Sequence, residues 1–434
     1  MIIQFSVRNY KTFKDVATLS LVASNYDKET RVEDNIFINE KYNLRLLKSA
    51  AIYGPNASGK TKLFDALSAF RTFVQRSYER SLKEMPIPVV PFKFNSESQN
   101  EPTEFEIIFL YENILYRYGF EATKNIIVTE WLYYKPQSKE TELFYREGDH
   151  IEYNKTQFSK GELIKRENAL RGNVLLLTVA ASLNDKISNS IVEFFKTLNI
   201  ISGLEEDGYQ MFTMKQISDS IEKSNILNFM KSADLGISDI SLKNTQVEDL
   251  PKNLPEDLKK KLVKLIEEKG PESVISDIVT SHKKYDDDQN YVGNELLSLE
   301  DEESSGTQKF FSLSGPILDC LKNGTTLIID ELDSKLHPNL VYEIVALFNS
   351  AEKNPKNAQL IVNTHNTNLL SRRLIRRDQV WFTEKNRYGE AKLYSLADFK
   401  AESVRKDEAF EDNYVRGKYG AIPYLNVFGE WDIK

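Results

Sequence analysis

The chain has 434 residues, of which 41% are hydrophobic and 28% are charged, and this composition excludes a disordered or fibrous protein. Its formal net charge of -8 argues against a protein that coats nucleic acid non-specifically, because such binding depends on neutralising phosphates with Lys and Arg. The length exceeds what one hydrophobic core usually supports, so we expect one large domain with an insertion, or two lobes.

The N-terminus, the apolar runs and the cysteine content of the sequence predict the cellular compartment of the protein. The N-terminus alternates apolar and polar residues and lacks the basic flank and apolar stretch of a signal peptide. The longest apolar run, Val174 to Ala181, is far shorter than the roughly 20 residues that span a bilayer. Cys320 is the single cysteine, which excludes an internal disulfide and fits a reducing compartment. We therefore expect a cytoplasmic protein with no membrane contact.

The first eighty residues predict a pair of strands, a glycine loop and a helix. Apolar residues alternate with polar ones from Ile3 to Val7 and from Ala17 to Leu21, which indicates two antiparallel strands. A short apolar run over residues 49–53 ends abruptly at Gly54 and predicts a buried strand that feeds a glycine loop. Apolar residues at helical spacing then predict a helix from about Lys60 to Arg80.

The rest of the chain divides by its pattern into three parts. Runs rich in Tyr, Phe, Ile and Val over residues 89–153 are separated by polar turns, which indicates an antiparallel meander. Residues 160–270 predict a compact, mainly helical insertion. From Gly306 onward helix and strand patterns alternate, which implies crossover connections and a largely parallel sheet. We therefore expect three segments, 1–155, 156–295 and 296–434, with the middle segment inserted between the two halves of one domain.

The glycine loop fits a complete phosphate-binding pattern, G-x-x-x-x-G-K-[ST], between a predicted strand and a predicted helix. The matching residues are Gly54, Pro55, Asn56, Ala57, Ser58, Gly59, Lys60 and Thr61. Glycines let backbone N–H groups turn toward phosphate oxygens, Lys60 supplies a positive charge, and Thr61 offers a hydroxyl to Mg²⁺. The alternative is an ordinary glycine turn before a helix. The full match in its context favours a site for ATP and Mg²⁺.

A second apolar strand, residues 325–329, ends in Asp330 and Glu331. Unpaired carboxylates at the end of a buried strand are costly to desolvate, so these acids need partners or a ligand. Asp330 is suited to hold Mg²⁺, and Glu331 to orient or deprotonate the attacking water, since phosphoryl transfer depends on positioning and charge compensation. The alternative is an acid between strand and loop that simply caps the following helix. The phosphate loop favours the catalytic interpretation, because both motifs then serve one ligand.

The run from Asp330 to Pro338 resembles the Walker B and D-loop segment of the RecF, SMC and OLD branch of ABC ATPases. The run from Glu303 to Lys309 is similar to the signature motif of that family, with Glu303 in place of leucine. The resemblance implies an α/β fold, namely an ABC-type P-loop ATPase head with a mostly parallel core sheet, an antiparallel β meander and a helical insertion. It also implies a homodimer or larger homo-oligomer, because the signature acts on ATP held by a partner subunit. The nucleotide contacts that it adds are Ser304, Gly306, Thr307, Gln308 and Asp333.

The signature segment also has a simpler interpretation, in which Ser304 or Ser305 caps the helix that follows. The two roles are compatible. A small residue, a hydroxyl and a glycine at the start of a helix form an N-terminus that also binds anions.

A histidine, His365, follows the buried strand at residues 359–363. A histidine at the end of a strand is usually structural. Its place after the Asp330 strand, however, matches the switch histidine of the resembled family, which contacts the γ-phosphate. The resemblance therefore makes His365 catalytic together with Glu331 and Lys60. The remaining histidines, which lack such company, are interpreted as structural; they are His150, His282 and His337.

Two segments near the end of the chain suggest a biological role. The run from Arg377 to Phe382 and the run from Tyr414 to Ala421 are similar to bacterial abortive-infection ATPases, including the ATPase subunits of two-gene anti-phage systems such as PARIS. This implies a sensor or regulator of a separately encoded effector protein. The alternatives are a DNA-repair or DNA-processing ATPase of the RecF or OLD kind, and a scaffold that ATP locks as a dimer. The segment after His365 lacks the clustered acids of a built-in Toprim nuclease, and Glu331 argues against a pure scaffold.

Four arginines form the sharpest basic cluster in the sequence. Their spacing would place all of them on one face of a helix; they are Arg372, Arg373, Arg376 and Arg377. Charge runs are usually solvated, which favours a solvated or partner-paired surface over a DNA contact. Nucleic acid therefore stays a possible partner without support from composition.

Overall fold

The computed structural model describes residues 1–25, 28–244, 255–269, 275–399 and 409–423. The strands, in chain order, are β1 (Ile2–Arg8), β2 (Ala17–Ser20), β3 (Ile36–Asn39), β4 (Leu44–Leu47), β5 (Ser49–Tyr53), β6 (Thr103–Tyr111), β7 (Ile114–Ala122), β8 (Ile127–Lys135), β9 (Thr141–Glu147), β10 (His150–Tyr153), β11 (Leu198–Ser202), β12 (Ile237–Asn244), β13 (Ile275–Tyr285), β14 (Tyr291–Ser298), β15 (Thr326–Asp330), β16 (Gln359–Asn363), β17 (Val380–Lys385) and β18 (Ala391–Ser395). The helices are α1 (Val32–Asn35), α2 (Lys60–Leu82), α3 (Lys160–Arg166), α4 (Leu176–Ser182), α5 (Lys186–Lys196), α6 (Asp207–Ile217), α7 (Ser220–Lys231), α8 (Glu256–Lys269), α9 (Ser305–Asn323), α10 (Pro338–Asn349) and α11 (Phe410–Val415).

The chain forms two compact units. The first consists of Met1–Gly203, Asn323–Asp333 and Val341–Lys434, and the second of Leu204–Lys322 and Ser334–Leu340. Within the described ranges, no helix is both long and apolar enough to cross a membrane.

An antiparallel sheet and a parallel sheet make up most of the first unit. The antiparallel sheet has the strand order β10-β9-β8-β7-β6-β1-β2, so the predicted meander pairs with the predicted N-terminal strands. Phe5 pairs with Leu19 and with Ile107, and these apolar side chains are buried because they share one face of the pleat. The sheet confirms both antiparallel predictions.

The parallel sheet places the sequence motifs side by side. Its order is β11-β15-β16-β5-β17-β18, and every neighbouring pair is parallel except β17 with β18. The carboxyl ends of parallel strands meet at one edge of a sheet, where ligands of α/β proteins usually bind. The glycine loop after β5, the acids Asp330 and Glu331 at the end of β15 and the segment after β16 therefore meet at this edge. The predicted α/β fold with a mostly parallel core sheet is confirmed.

Helix α2 packs into the core of the first unit. It begins at Lys60 as predicted and runs to Leu82, slightly beyond the expected end. Phe70 on its buried face lies within ring-contact distance of Phe105, Tyr118, Phe120 and Phe195. Aromatic pairs of this kind add to the free energy of area burial, so α2 is fixed firmly between the sheet and α5.

A buried ion pair lies within the antiparallel sheet, and its carboxylate also binds the apolar run that follows the sheet. Glu130 and Arg146 have fully buried side chains, with 3.6 Å between their nearest charged atoms. The Glu130 carboxylate also accepts hydrogen bonds from the N–H groups of Leu176 and Leu177, at 2.6 and 3.0 Å, and from the hydroxyl of Tyr118 at 3.0 Å. The carboxylate thus anchors the start of α4 to the sheet.

The segment predicted as mainly helical contains strands as well as helices. Asp219 separates α6 from α7, and its side chain caps the start of α7. Strand β11 joins the parallel sheet beside β15. In the second unit, β12, β13 and β14 form an antiparallel sheet. These strands were not predicted, because β11 is short and a bulge between Ile237 and Asp239 interrupts the alternation of β12.

The predicted helical face of arginines is wrong. Residues 372–374 form a turn, and a short 3-10 helix covers Arg377–Gln379. Arg376 is buried and forms an ion pair with Asp378, while Arg377 donates to the carbonyl oxygens of Leu396 and Phe399. These partners bury two of the four charges. Helical spacing in the sequence does not indicate such partners.

Candidate functional site

The glycine loop has a backbone that only glycine adopts readily at its two ends. Gly54 has a φ of 153° and Gly59 a φ of 118°. A Cβ on Gly54 would lie 2.4 Å from the carbonyl oxygen of Thr383, a distance that real Cβ atoms do not show. Ala57 also lies in the left-handed region, with a φ of 62°. The loop therefore holds a fixed turn between β5 and the start of α2.

Lys60 lies buried against the loop that precedes it. Its Nζ donates to the carbonyl oxygens of Gly54, at 2.7 Å, and Pro55, at 3.2 Å. Burial lowers the pKa of Lys60, while the nearby carboxylates of Glu331 and Asp330 act in the opposite direction. The lysine is thus a cation held at the mouth of the loop and at the positive end of α2.

The side chains of Asp330 and Thr61 bring together two oxygen atoms of the kind that Mg²⁺ prefers as ligands. The Thr61 hydroxyl and the Asn363 amide both form hydrogen bonds with the Asp330 carboxylate. Burial raises the pKa of Asp330, and these hydrogen bonds partly offset that rise. Mg²⁺ in nucleotide sites takes one or two protein oxygens plus phosphates and waters, at octahedral geometry. The pair fits such an ion.

Glu331 has a constrained backbone at the end of β15. Its φ is 55°, in the left-handed region that a glutamate seldom occupies. Its N–H donates to the Oδ1 of Asn363 at 2.5 Å. Gly203, after β11, packs so closely that a Cβ there would lie 2.1 Å from the Glu331 carbonyl oxygen. Asn363 and Gly203 together hold the turn that orients Glu331.

His365 and Asp333 meet on the other side of this turn. The His365 N–H donates to the Asp333 Oδ2 at 3.1 Å, and among the described residues the buried Asp333 Oδ1 has no hydrogen-bond partner. Burial lowers the pKa of His365, and the positive charge of Lys60 lowers it further. The imidazole therefore favours its neutral form.

Several of these residues, all in the first unit, line one cavity of about 270 Å³. Its lining includes six of the eight phosphate-loop residues, Glu331 and His365, together with Thr12, Lys62 and Lys385. A neighbouring cavity of about 670 Å³ is lined by Gly54 to Ser58, His365 and residues of the C-terminal segment. The phosphate loop, Glu331 and His365, which are distant in sequence, thus line one cavity.

The predicted signature residues lie in the second unit. The Ser304 Oγ accepts a hydrogen bond from the N–H of Thr307 at 3.1 Å, as the cap of α9. The Gln308 side chain donates to the carbonyl oxygens of Glu300 and Glu303. The capping role that the sequence left open is therefore present, and Ser304 and Ser305 are exposed.

The family described as "AAA domain, putative AbiEii toxin, Type IV TA system" matches residues 49–371, which include both the glycine loop and the strand of Asp330. The chain belongs to this family. No curated protein matches it. Among solved structures, it is similar to the SMC head domain from Thermotoga maritima, with 12% identity, coverage of 91% of this chain and 98% of that chain, and a TM-score of 0.42. It is also similar to the SmcHead bound to the C-winged helix domain of ScpA, with 13% identity, coverage of 91% and 97%, and a TM-score of 0.40.

Sequence reasoning missed several residues of this AAA-domain site. Asn363 carried only a weak signal, an amide at the end of a buried apolar strand, and Gly203 carried none. Tyr414 accepts a hydrogen bond from the N–H of Gly54 and donates to the carbonyl oxygen of Ala421 at 3.0 Å. The run from Tyr414 to Ala421, whose sequence resembles abortive-infection ATPases, therefore contacts the phosphate loop directly.

Proposed function

We propose that the chain is an ATPase that binds ATP with Mg²⁺ in the smaller cavity and hydrolyses it to ADP and phosphate. The observation that carries this proposal is the convergence of the glycine loop, Glu331 and His365 on one cavity at the carboxyl edge of the parallel sheet. Membership of an AAA-domain family supports it independently.

The side chains would divide the chemistry as follows. Loop N–H groups and Lys60 bind and orient the phosphates, and Thr61 and Asp330 hold Mg²⁺, which supplies charge compensation when bound. Glu331 orients the attacking water and takes its proton. A neutral His365 donates a hydrogen bond toward the transferred phosphoryl group.

The signature residues would complete the site from a second copy of the chain. Ser304 caps α9 with its hydroxyl while lying exposed at the start of that helix, where N–H groups attract anions. Gly306, Thr307 and Gln308 follow in the first turn. We therefore infer a homodimer that closes around ATP, with Asp333 near the junction.

The biological role that we infer is a sensor or regulator of a separately encoded effector in bacterial anti-phage defence. Its support is the resemblance of the C-terminal segment, whose Tyr414 contacts the phosphate loop, and the toxin–antitoxin description of the family. Nucleotide would act by giving the effector different affinities for the ATP-bound and ADP-bound states. The burial of Arg376 and Arg377 removes one reason to prefer the DNA-processing alternative.

Two variants test the chemistry. Lys60→Ala should abolish ATP binding, and Glu331→Gln should retain binding while losing hydrolysis. Phosphate release and equilibrium ATP binding measure both outcomes, and wild-type hydrolysis by either variant would refute the assignment.

Phage restriction tests the biological role. Restriction by the chain, expressed together with its genomic neighbour, should need both Lys60 and Glu331. Metal-dependent DNA cleavage by the purified chain would favour the DNA-processing alternative.

A further inference from the structure

Glu303, the first residue of the signature run, has a carboxylate that is held by a neighbouring strand. Its Oε1 accepts hydrogen bonds from the Thr280 hydroxyl at 2.6 Å and from the His282 Nε2 at 2.7 Å. Because a carboxylate only accepts, the His282 Nε2 carries the proton. The Glu303 side chain is only 9% exposed. A polar residue that is this buried is fixed in place by such bonds.

Both donors come from one face of a single strand. Thr280 and His282 lie two residues apart on β13, so their side chains point the same way. The backbone of Glu303 is fixed as well, since its N–H donates to the carbonyl oxygen of Ser298 at 3.1 Å and its own carbonyl oxygen accepts from Gln308. The entry into α9 is thus tied to β13 and to the end of β14.

We propose that Glu303 is a positioning residue, which Thr280 and His282 hold so that the exposed Ser304 is aimed at the nucleotide of a second copy. This inference rests on the proposed function, in which the signature completes a composite site. It gives the sheet of β12, β13 and β14 a role in catalysis, and it explains why a glutamate stands where the resembled signature has leucine.

The carboxylate can be removed or replaced without touching the phosphate loop. Glu303→Ala should lower kcat about tenfold or more while ATP affinity stays within about twofold, because orientation is lost and ground-state binding is not. Glu303→Gln retains an acceptor oxygen and should restore most of the rate. The matched control is Glu295→Ala, which removes an exposed ion pair with Lys284 on the same sheet and should leave kcat unchanged.

Mixed dimers separate positioning from folding. In a mixture of Glu303→Ala and Lys60→Ala chains, one composite site combines an intact loop with an intact signature, so activity should recover. A mixture of Ser304→Arg and Lys60→Ala chains should recover likewise and serves as the reference. Recovery in the reference alone would assign Glu303 a structural role and overturn the inference. Failure of both mixtures would refute the composite site itself, and a wild-type kcat in Glu303→Ala would refute the inference directly.

Discussion

The turn that carries Glu331 should be sensitive to a single methyl group at Gly203. An ideal Cβ there lies 2.1 Å from the Glu331 carbonyl oxygen and 2.5 Å from that of Asp330, whereas real Cβ atoms essentially never approach within 3.0 Å. Gly203→Ala therefore forces a displacement of about 0.9 Å, the difference between 3.0 and 2.1 Å. Overpacking of this kind costs about 1–3 kcal/mol of stability, and a misplacement near 1 Å costs about 10²-fold in rate.

We expect Gly203→Ala to lower kcat about 10²-fold and to leave ATP affinity within about threefold, since the lysine and the loop N–H groups are untouched. Phosphate release at saturating ATP, equilibrium nucleotide binding and urea unfolding measure the three quantities. Gly208→Ala is the matched control, because its Cβ would meet nothing within 4 Å and alanine favours the helix there. A Gly203→Ala protein with wild-type kcat and stability would refute the steric argument.

Three further changes test other parts of the molecule. Asn363→Asp puts a second carboxylate against Asp330 and removes the amide donor, so kcat should fall about 10²-fold with ATP binding retained, as phosphate release and binding assays would show. Glu130→Gln removes the negative charge that faces the buried Arg146 and should lower the free energy of unfolding in urea by about 3–5 kcal/mol. The control is Glu79→Gln in the exposed ion pair with Lys83, which should change the free energy of unfolding by at most about 0.5 kcal/mol. Because the pKa of His365 lies below its ordinary 6.5, the unfolded chain binds more protons there. The free energy of unfolding should therefore rise with pH up to about 6.5. His365→Gln should abolish the part of this rise that His365 contributes, which unfolding measured at a series of pH values would show.

The sequence predicts those elements whose signals are local. The alternation from Ile3 to Val7, the helical spacing after Lys60 and the glycine pattern depend on near neighbours only, and the structure has each of them. Strand β11 depends instead on a distant partner, since Ile200 pairs with Ile328 in register. A strand whose pairing supplies its stability has little need of a strong pattern of its own.

The same distinction separates the predicted site residues from the missed ones. Asp330 stands out because charge is unusual at the end of a buried strand, whereas His365 is predicted from its match to the switch histidine of the resembled family. Gly203 is invisible in sequence, because only the approach of another backbone requires the glycine. The arginine prediction failed for a related reason: the spacing indicates a helix, whereas hydrogen bonds to the carbonyl groups of Leu396 and Phe399 determine where Arg377 lies.

The order of the strands explains why Asn363 is central to the site. Strand β16 lies between β15, which carries the acids, and β5, which carries the phosphate loop. Its last residue therefore reaches the acid turn, where the amide nitrogen of Asn363 donates to Asp330 and its oxygen accepts from the Glu331 N–H. Two residues later, His365 lines the cavity with the loop. A shift of this one strand would disturb Asp330, the Glu331 turn and His365 together. An acid or an apolar residue in place of Asn363 could not serve both a carboxylate and an N–H group.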